Sequence, residues 1–172
     1  MTPRKPRKPD VMSELPALRR YALSLTRSAT DAEDLVHDTL VRAMERNSTF
    51  RPEGNLRGWL MSIQHNLFID KRRSEASAAG RDRALADEAV SATPALQLDS
   101  VRLSEVRRAF DTLPDEQREA MHLVTIEGLS YEEAAGVLGV PAGTVMSRIS
   151  RGREALRRWE SGPTLRLVKG VE

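Results

Sequence analysis

Residues 129–158 read LSYEEAAGVLGVPAGTVMSRISRGREALRR, two short amphipathic runs joined at Gly139-Val140-Pro141. Ser130 is placed as an N-cap with Glu133 as its capping-box partner, and Leu129 and Ala134 are spaced for a hydrophobic staple. Gly139 supplies the left-handed residue that closes the first run, and Pro141 suits the start of the second. The connection therefore has the length of the turn in a helix-turn-helix unit.

On a 3.6-residue wheel, Val145, Ile149, Gly152 and Leu156 form the buried stripe of the second run. Ser147, Ser150, Arg151, Glu154 and Arg158 lie opposite, with Arg148 and Arg153 on the flanks. Five arginines stand in this run against one glutamate, which by itself also describes a solvated basic surface helix. The tight turn, the capped preceding helix and the small polar residues at the start of the basic run favour DNA. Hydroxyls there reach phosphates or bases, and one arginine bound to guanine through two parallel hydrogen bonds gives about 1–3 kcal/mol of base discrimination.

The rest of the chain bounds what surrounds this unit. A length of 172 residues with 40% hydrophobic and only 4% aromatic content predicts an all-α chain of one ordinary domain or two small ones, cored by Leu, Val, Ile, Ala and Met. The chain has no cysteine, which removes disulfides, thiolate nucleophiles and cysteine-based zinc sites. No catalytic residue, metal or cofactor is expected. No run approaches a membrane span and the N-terminal MTPRKPRKPD lacks a signal-peptide core, so the expected location is the cytoplasm, with no membrane insertion. Net charge is +2, but Arg4, Lys5, Arg7 and Lys8 sit in the first nine residues, so the remainder is slightly acidic. Any nucleic-acid site must therefore rest on local segregation of charge.

Helical periodicity covers Leu15–Thr26, then a run from Thr30 with a Thr30/Glu33 capping-box pattern and Ala32, Val36, Leu40 and Ala43 inward. After the turn-rich NSTFRPEGN, a third run spans Leu56–Arg73 with Leu56, Leu60, Ile63 and Leu67 inward. Residues 74–100 carry five acids, two arginines and no aromatic, the composition of a linker. Periodicity resumes at Leu103, Val106, Phe110 and Leu113 and stops at Pro114, which suits the first turn of a helix ended by Gly128. The expected architecture is a disordered basic tail (1–11), a three- to four-helix domain (12–76), a flexible linker (77–100), a helix-turn-helix domain (101–160) and a tail (161–172).

Two faces of the first domain carry further information. On the second run, Asp34, Leu35, Asp38, Val41, Arg42 and Glu45 fall off the core stripe, an acidic face with two aliphatics that suits a basic partner. On the third, Met61, His65, Phe68 and Arg72, with Ser62, Asn66, Ile69 and Arg73 beside them, are placed outside the core as ring, imidazole, amide and guanidinium groups able to hold unstacked bases. Trp59 borders the core. Of the three histidines, His65 alone is placed near DNA; the others read as polar surface residues.

The segments DAEDLVHDTLVRAME, NLRGWLMSIQHNLFIDKRR and LPDEQREAMHLVTIEGLSYEEAAGVLGVPAGTVMSRISRGREALRR closely resemble, in order, those of the extracytoplasmic-function (group IV) sigma factors of bacterial RNA polymerase. The resemblance covers about residues 12–73 and 101–158. It implies that Asp34, Leu35, His37, Asp38 and Val41 dock on the clamp of the beta-prime subunit, with beta also contacted by the chain. It implies that Phe50, Asn55, Ser62, His65, Asn66, Ile69, Arg72 and Arg73 recognise and melt the minus-ten element as single-stranded DNA. Thr144, Met146, Ser147, Arg148, Ser150 and Arg151 would then face the minus-thirty-five element in duplex form. The linker would run toward the RNA exit path, and an anti-sigma factor is an implied partner, as is a role in stress response. His37 stands where the family commonly has glutamine, and Met146 where a basic residue is common.

Losing DNA stacking costs about 0.6–2.2 kcal/mol per step and capturing one base returns about 1–3, so a small helical domain can trap a base or two while the polymerase opens the bubble. Two other readings compete. A helix-turn-helix regulator that never joins polymerase leaves the first domain's two faces unexplained. A di-metal enzyme would use Asp34-x-x-His37 and Glu119-x-x-His122, but such motifs must point into one shared core, and these do not.

Overall fold

In the computed structural model, residues 10–51, 53–79 and 98–160 are described. Among them every regular element is helical. A 3₁₀ turn (Val11–Glu14) leads into α1 (Leu15–Thr26), α2 (Ala29–Glu45) and α3 (Leu56–Ala79); the second half comprises α4 (Leu98–Asp111), α5 (Asp115–Met121), α6 (Tyr131–Leu138) and α7 (Ala142–Glu160). The two-part all-α architecture expected from periodicity is present. The tails 1–9 and 161–172 and linker positions 80–97 lie outside the described residues; α3 and α4 take up the linker's expected ends.

The punctuation of the chain explains these boundaries. Arg27 adopts a left-handed backbone (φ 57°) and ends α1. The cap of α2 is Ser28, whose side chain accepts from the Asp31 N–H, and not the Thr30 expected from the Thr30/Glu33 pattern. A serine two residues earlier gains the same bond and lengthens the helix. At α6 the expected capping box is complete: Ser130 Oγ accepts from the Glu133 N–H (3.1 Å), and Glu133 Oε2 accepts from the Ser130 N–H (2.8 Å). Gly139 then closes α6 at φ 66°, a conformation that costs glycine nothing.

Between α5 and α6 the helix widens. Residues His122–Ile126 form a π turn in which the Glu127 N–H donates to the His122 carbonyl (3.0 Å), before Gly128 (φ 73°) breaks the run. This segment replaces the regular helix expected there.

The core is continuous through both halves. Leu18, Tyr21, Leu60 and Met61 of the first are fully buried, as are Ala120, Leu123, Val145 and Ile149 of the second, within one cluster. Helix α3 packs against α6, and α1 against α5 and the π turn. Met61 and Phe68, expected on an outward capture stripe, belong to this core. Glu119 and His122 are also buried, correcting their placement as surface groups. For His122 the cover is Tyr21 of the first half, which a wheel drawn for one small domain cannot show.

Helices α5 and α7 meet at Gly152, where an added Cβ would collide with the sulfur of the buried Met121. Gly152→Val should therefore destabilise the chain by about 1–3 kcal/mol through overpacking. Urea unfolding followed by circular dichroism measures this, and Gly152→Ala should lose less because the Met121 side chain can swing aside.

Candidate nucleic-acid interface

The outward face of α7 is as the wheel predicts. Val145, Ile149 and Gly152 are buried, which turns Ser147, Ser150 and Arg151 to solvent at the mouth of the helix-turn-helix. Met146 joins them with 54% of its surface exposed. Ser147 Oγ donates to the Thr144 carbonyl (2.9 Å), and Thr144 is half-buried. Arg148 differs: its side chain is only 17% exposed and is held by Glu116 of α5 (3.1 Å). It turns toward the body of the protein, where its charge reaches His65 and Glu119.

On α2, Asp34, His37, Asp38 and Val41 form an exposed face, and Met44 extends it. Leu35 does not belong to this face. It is 6% exposed and packs in the core beside Val36, because two adjacent positions of a helix lie about 100° apart and a wide apolar stripe takes both. The expectation that Leu35 is a surface contact is corrected on this ground.

The face expected to hold single-stranded DNA is largely engaged within the protein. His65 is 7% exposed, and its Nδ1 is hydrogen-bonded to the Tyr21 hydroxyl (3.1 Å). This corrects the outward imidazole expected from the sequence. Ser62 donates to the Trp59 carbonyl, Ile69 is half-buried, and Phe50 stacks at a tilt on Trp59 with centroids 5.2 Å apart. Asn55 accepts from the Gly58 N–H at the start of α3 and donates across to Glu133 of α6 (2.7 Å). Arg72 lies 5.6 Å over the Phe68 ring and reaches Asp115 of α5 (3.1 Å). Asn66 and Arg73 remain at the surface.

Sequence reasoning missed the residues that make this seam. Arg20 grips Glu127 with two bonds (3.0 and 2.8 Å), and Arg57 donates to the Glu127 carbonyl (3.0 Å) and to Glu14 (2.7 Å). Arg27 reaches Asp115 and the Asp111 carbonyl, while the buried Arg118 donates to the Ser24 carbonyl (3.1 Å). His122 Nε2 donates to Glu127 (3.1 Å) and its ring lies 5.5 Å from that of Tyr21. Each is an ordinary charged or polar helix residue, and no spacing within a half marks it.

The buried groups are shifted accordingly. Burial, with Arg148 nearby, lowers His65 to about 4 and keeps it neutral. Burial and the neighbouring Asp115 raise Glu119 to about 7, against the pull of Arg118, Arg148 and Arg72. Burial alone would raise Glu127, but the bonds from His122 and Arg20 outweigh it and hold the carboxylate below its ordinary range.

The sigma-70 region 2 profile matches residues 11–78, and the sigma-70 region 4 profile matches residues 103–156. The chain is 40% identical over 150 residues to the ECF RNA polymerase sigma factor EcfG of Rhodopseudomonas palustris, covering 86% of this chain and 81% of that one. It is likewise 40% identical over 144 residues to the ECF RNA polymerase sigma factor SigE of Mycolicibacterium smegmatis, 80% of this chain but 55% of that protein. The sigma factor RpoE of Bartonella quintana, solved in complex with the anti-sigma factor NepR, is similar with a TM-score of 0.79 at 36% identity, over 90% of this chain and 96% of that one.

The two shifted groups oppose one another in their effect on stability. The lowered His65 binds its proton more readily in the unfolded chain, so its contribution is lost as pH falls from 6.5 toward 4. The raised Glu119 keeps its proton in the fold, so its contribution is lost as pH rises from 4.5 through 7. Glu119→Gln removes the second dependence. Its urea midpoint should rise between pH 5 and pH 6.5 while that of the parent stays nearly level.

Proposed function

The chain belongs to the extracytoplasmic-function sigma factors of the sigma-70 family, and from that premise we propose how its residues direct promoter-specific initiation by RNA polymerase core. The observation that carries the proposal is the row Ser147, Ser150 and Arg151, projected from a capped helix-turn-helix and placed behind a region-2 domain in the family's order.

Asp34, His37, Asp38 and Val41 on α2 form the docking face for the polymerase clamp, an acidic and partly apolar surface fit for a basic partner. Helix α7 enters the major groove of the minus-thirty-five element. Arg151 is its most direct base reader, Ser147 and Ser150 reach phosphates or base edges, and Met146 adds apolar contact where a cation would add charge. Arg148 braces the helix through Glu116 and contacts DNA only if that pair parts.

Asn55, Asn66, Arg72 and Arg73, with Phe50 in the preceding loop, serve the minus-ten element. The chain contributes recognition and base capture; polymerase carries out the chemistry. Its work lies in the cytoplasm with polymerase, and among the described residues no helix is long and apolar enough to cross a membrane. An anti-sigma factor is a further partner, supported by the relative solved with NepR.

Run-off transcription with purified core enzyme should give promoter-specific transcripts from a fragment carrying both elements, and none without the chain. Arg151→Ala should reduce discrimination at the minus-thirty-five element by about 1–3 kcal/mol while retaining core binding, measured by competition among promoter variants and by core pull-down.

A further inference from the structure

The first cation of α7 does not face outward. Arg148 follows Ser147 directly, yet its side chain is only 17% exposed, whereas Met146, Ser147, Ser150 and Arg151 all lie open to solvent. Its Nη2 stands 3.1 Å from Oε2 of Glu116 on α5. One helical turn on from Glu116, and so on the same face of α5, is the buried Glu119, whose carboxyl also feels the Arg148 charge. The opening turns of α7 therefore present a thioether and two hydroxyls, and the first outward cation is Arg151.

Glu116 is 71% exposed, and an ion pair open to water on one side contributes little by itself. The inward turn of Arg148 has two further supports. Most of its stem is covered, so turning outward would expose it. The same movement would take from Glu119 one of the three cations, Arg118, Arg148 and Arg72, that oppose its burial. Depriving an enclosed carboxylate of a countercharge is unfavourable, so the two acids of α5 hold the arginine together.

We propose that Glu116, backed by Glu119, is a positioning residue that keeps Arg148 off the DNA while α7 lies on the minus-thirty-five element, so that the chain forgoes one phosphate contact. This rests on the assignment of α7 to that element, made above. Phosphate contacts carry no sequence information and strengthen binding to every duplex alike. Withholding one weakens the hold on promoter and non-promoter duplex by the same factor and leaves the order of preference untouched. Non-promoter sites are in large excess, so the chain is detained less away from promoters, and contacts made through polymerase complete its affinity at them.

Fluorescence anisotropy of a labelled random-sequence duplex, titrated with the full chain over a series of salt concentrations, gives the slope of log affinity against log salt. In Glu116→Ala/Glu119→Gln the slope should steepen by about 0.9, the value for one further phosphate contact, with several-fold tighter binding at low salt. Arg148→Gln should remove about 0.9 of slope in that background and less than half as much in the parent. Preference for the duplex that the parent enriches from a random pool, over the random duplex, should be equal in the parent and in Glu116→Ala/Glu119→Gln. Carboxylates with a merely structural role would move the urea midpoint and leave the slope alone.

A full loss of slope on Arg148→Gln in the parent means that Arg148 already reaches phosphate, and overturns the proposal. So does a steepening in Glu116→Ala/Glu119→Gln that Arg148→Gln fails to reverse, and a changed preference would put Arg148 on a base edge and overturn it likewise. Should the double variant lose helicity, the exposed Glu116→Ala is taken through the same cycle alone, and no coupling to Arg148 overturns the positioning role. Met146→Arg separates this from the function proposed above, because a cation at that outward position should also steepen the slope by about 0.9. A flat response there removes α7 from the DNA and both readings fall; a steep response with Arg148 uncoupled from Glu116 removes the positioning role only.

Discussion

A single carboxylate, that of Glu127, sets the arrangement of this molecule. It lies at the end of the π turn, wholly out of solvent, and is held by His122 from its own half and Arg20 from the other. Burying such a group is unfavourable unless every lone pair is met, so the position of α1 against the π turn is determined by hydrogen-bond geometry as much as by apolar contact. The Tyr21 ring beside His122, and the Tyr21 hydroxyl on His65, carry that constraint onward into α3. Docking of the halves, burial of His65 and enclosure of Glu119 are parts of one packing solution.

Much of this fold is legible in local chemistry. The Ser130/Glu133 box, the left-handed Gly139 and the Val145/Ile149/Gly152 stripe are properties of a few consecutive residues, and each appears as the sequence predicts. The outward row on α7 follows from the same stripe. At the Ser28 cap the local pattern misleads, because Thr30 and Ser28 offer alternative starts and the earlier one adds helix at no cost in side-chain bonding.

The outer side of α3 was less legible for a physical reason. Periodicity identifies which face of a helix is apolar; it cannot identify whether a polar face meets water or another polar face. Met61 and Phe68 look like a ligand stripe on a helix considered alone and are buried in the core of the folded chain. Arg20, Arg27 and Arg57 look like solvated charge and are cross-links. Leu35 errs in the same direction, an aliphatic beside the stripe that the core absorbs. Single-domain wheels fail where a polar surface has an intramolecular counterpart of opposite sign.

The π turn also bears on how this chain can change in length. One residue contributes about 100° of rotation to a helix, and the wide turn at His122–Ile126 takes up one residue more than an α-helix would over the same rise. Deleting any residue within it would wind the segment back to regular helix and swing Glu127 away from Arg20, carrying Gly128 and the whole of α6 around with it. Substitutions there can be mild, but a codon lost or gained is a change of register for everything downstream. The segment acts as a phase adjuster between α5 and the DNA-reading pair of helices, and it holds the chain's length fixed at that point even where the side chains themselves could vary.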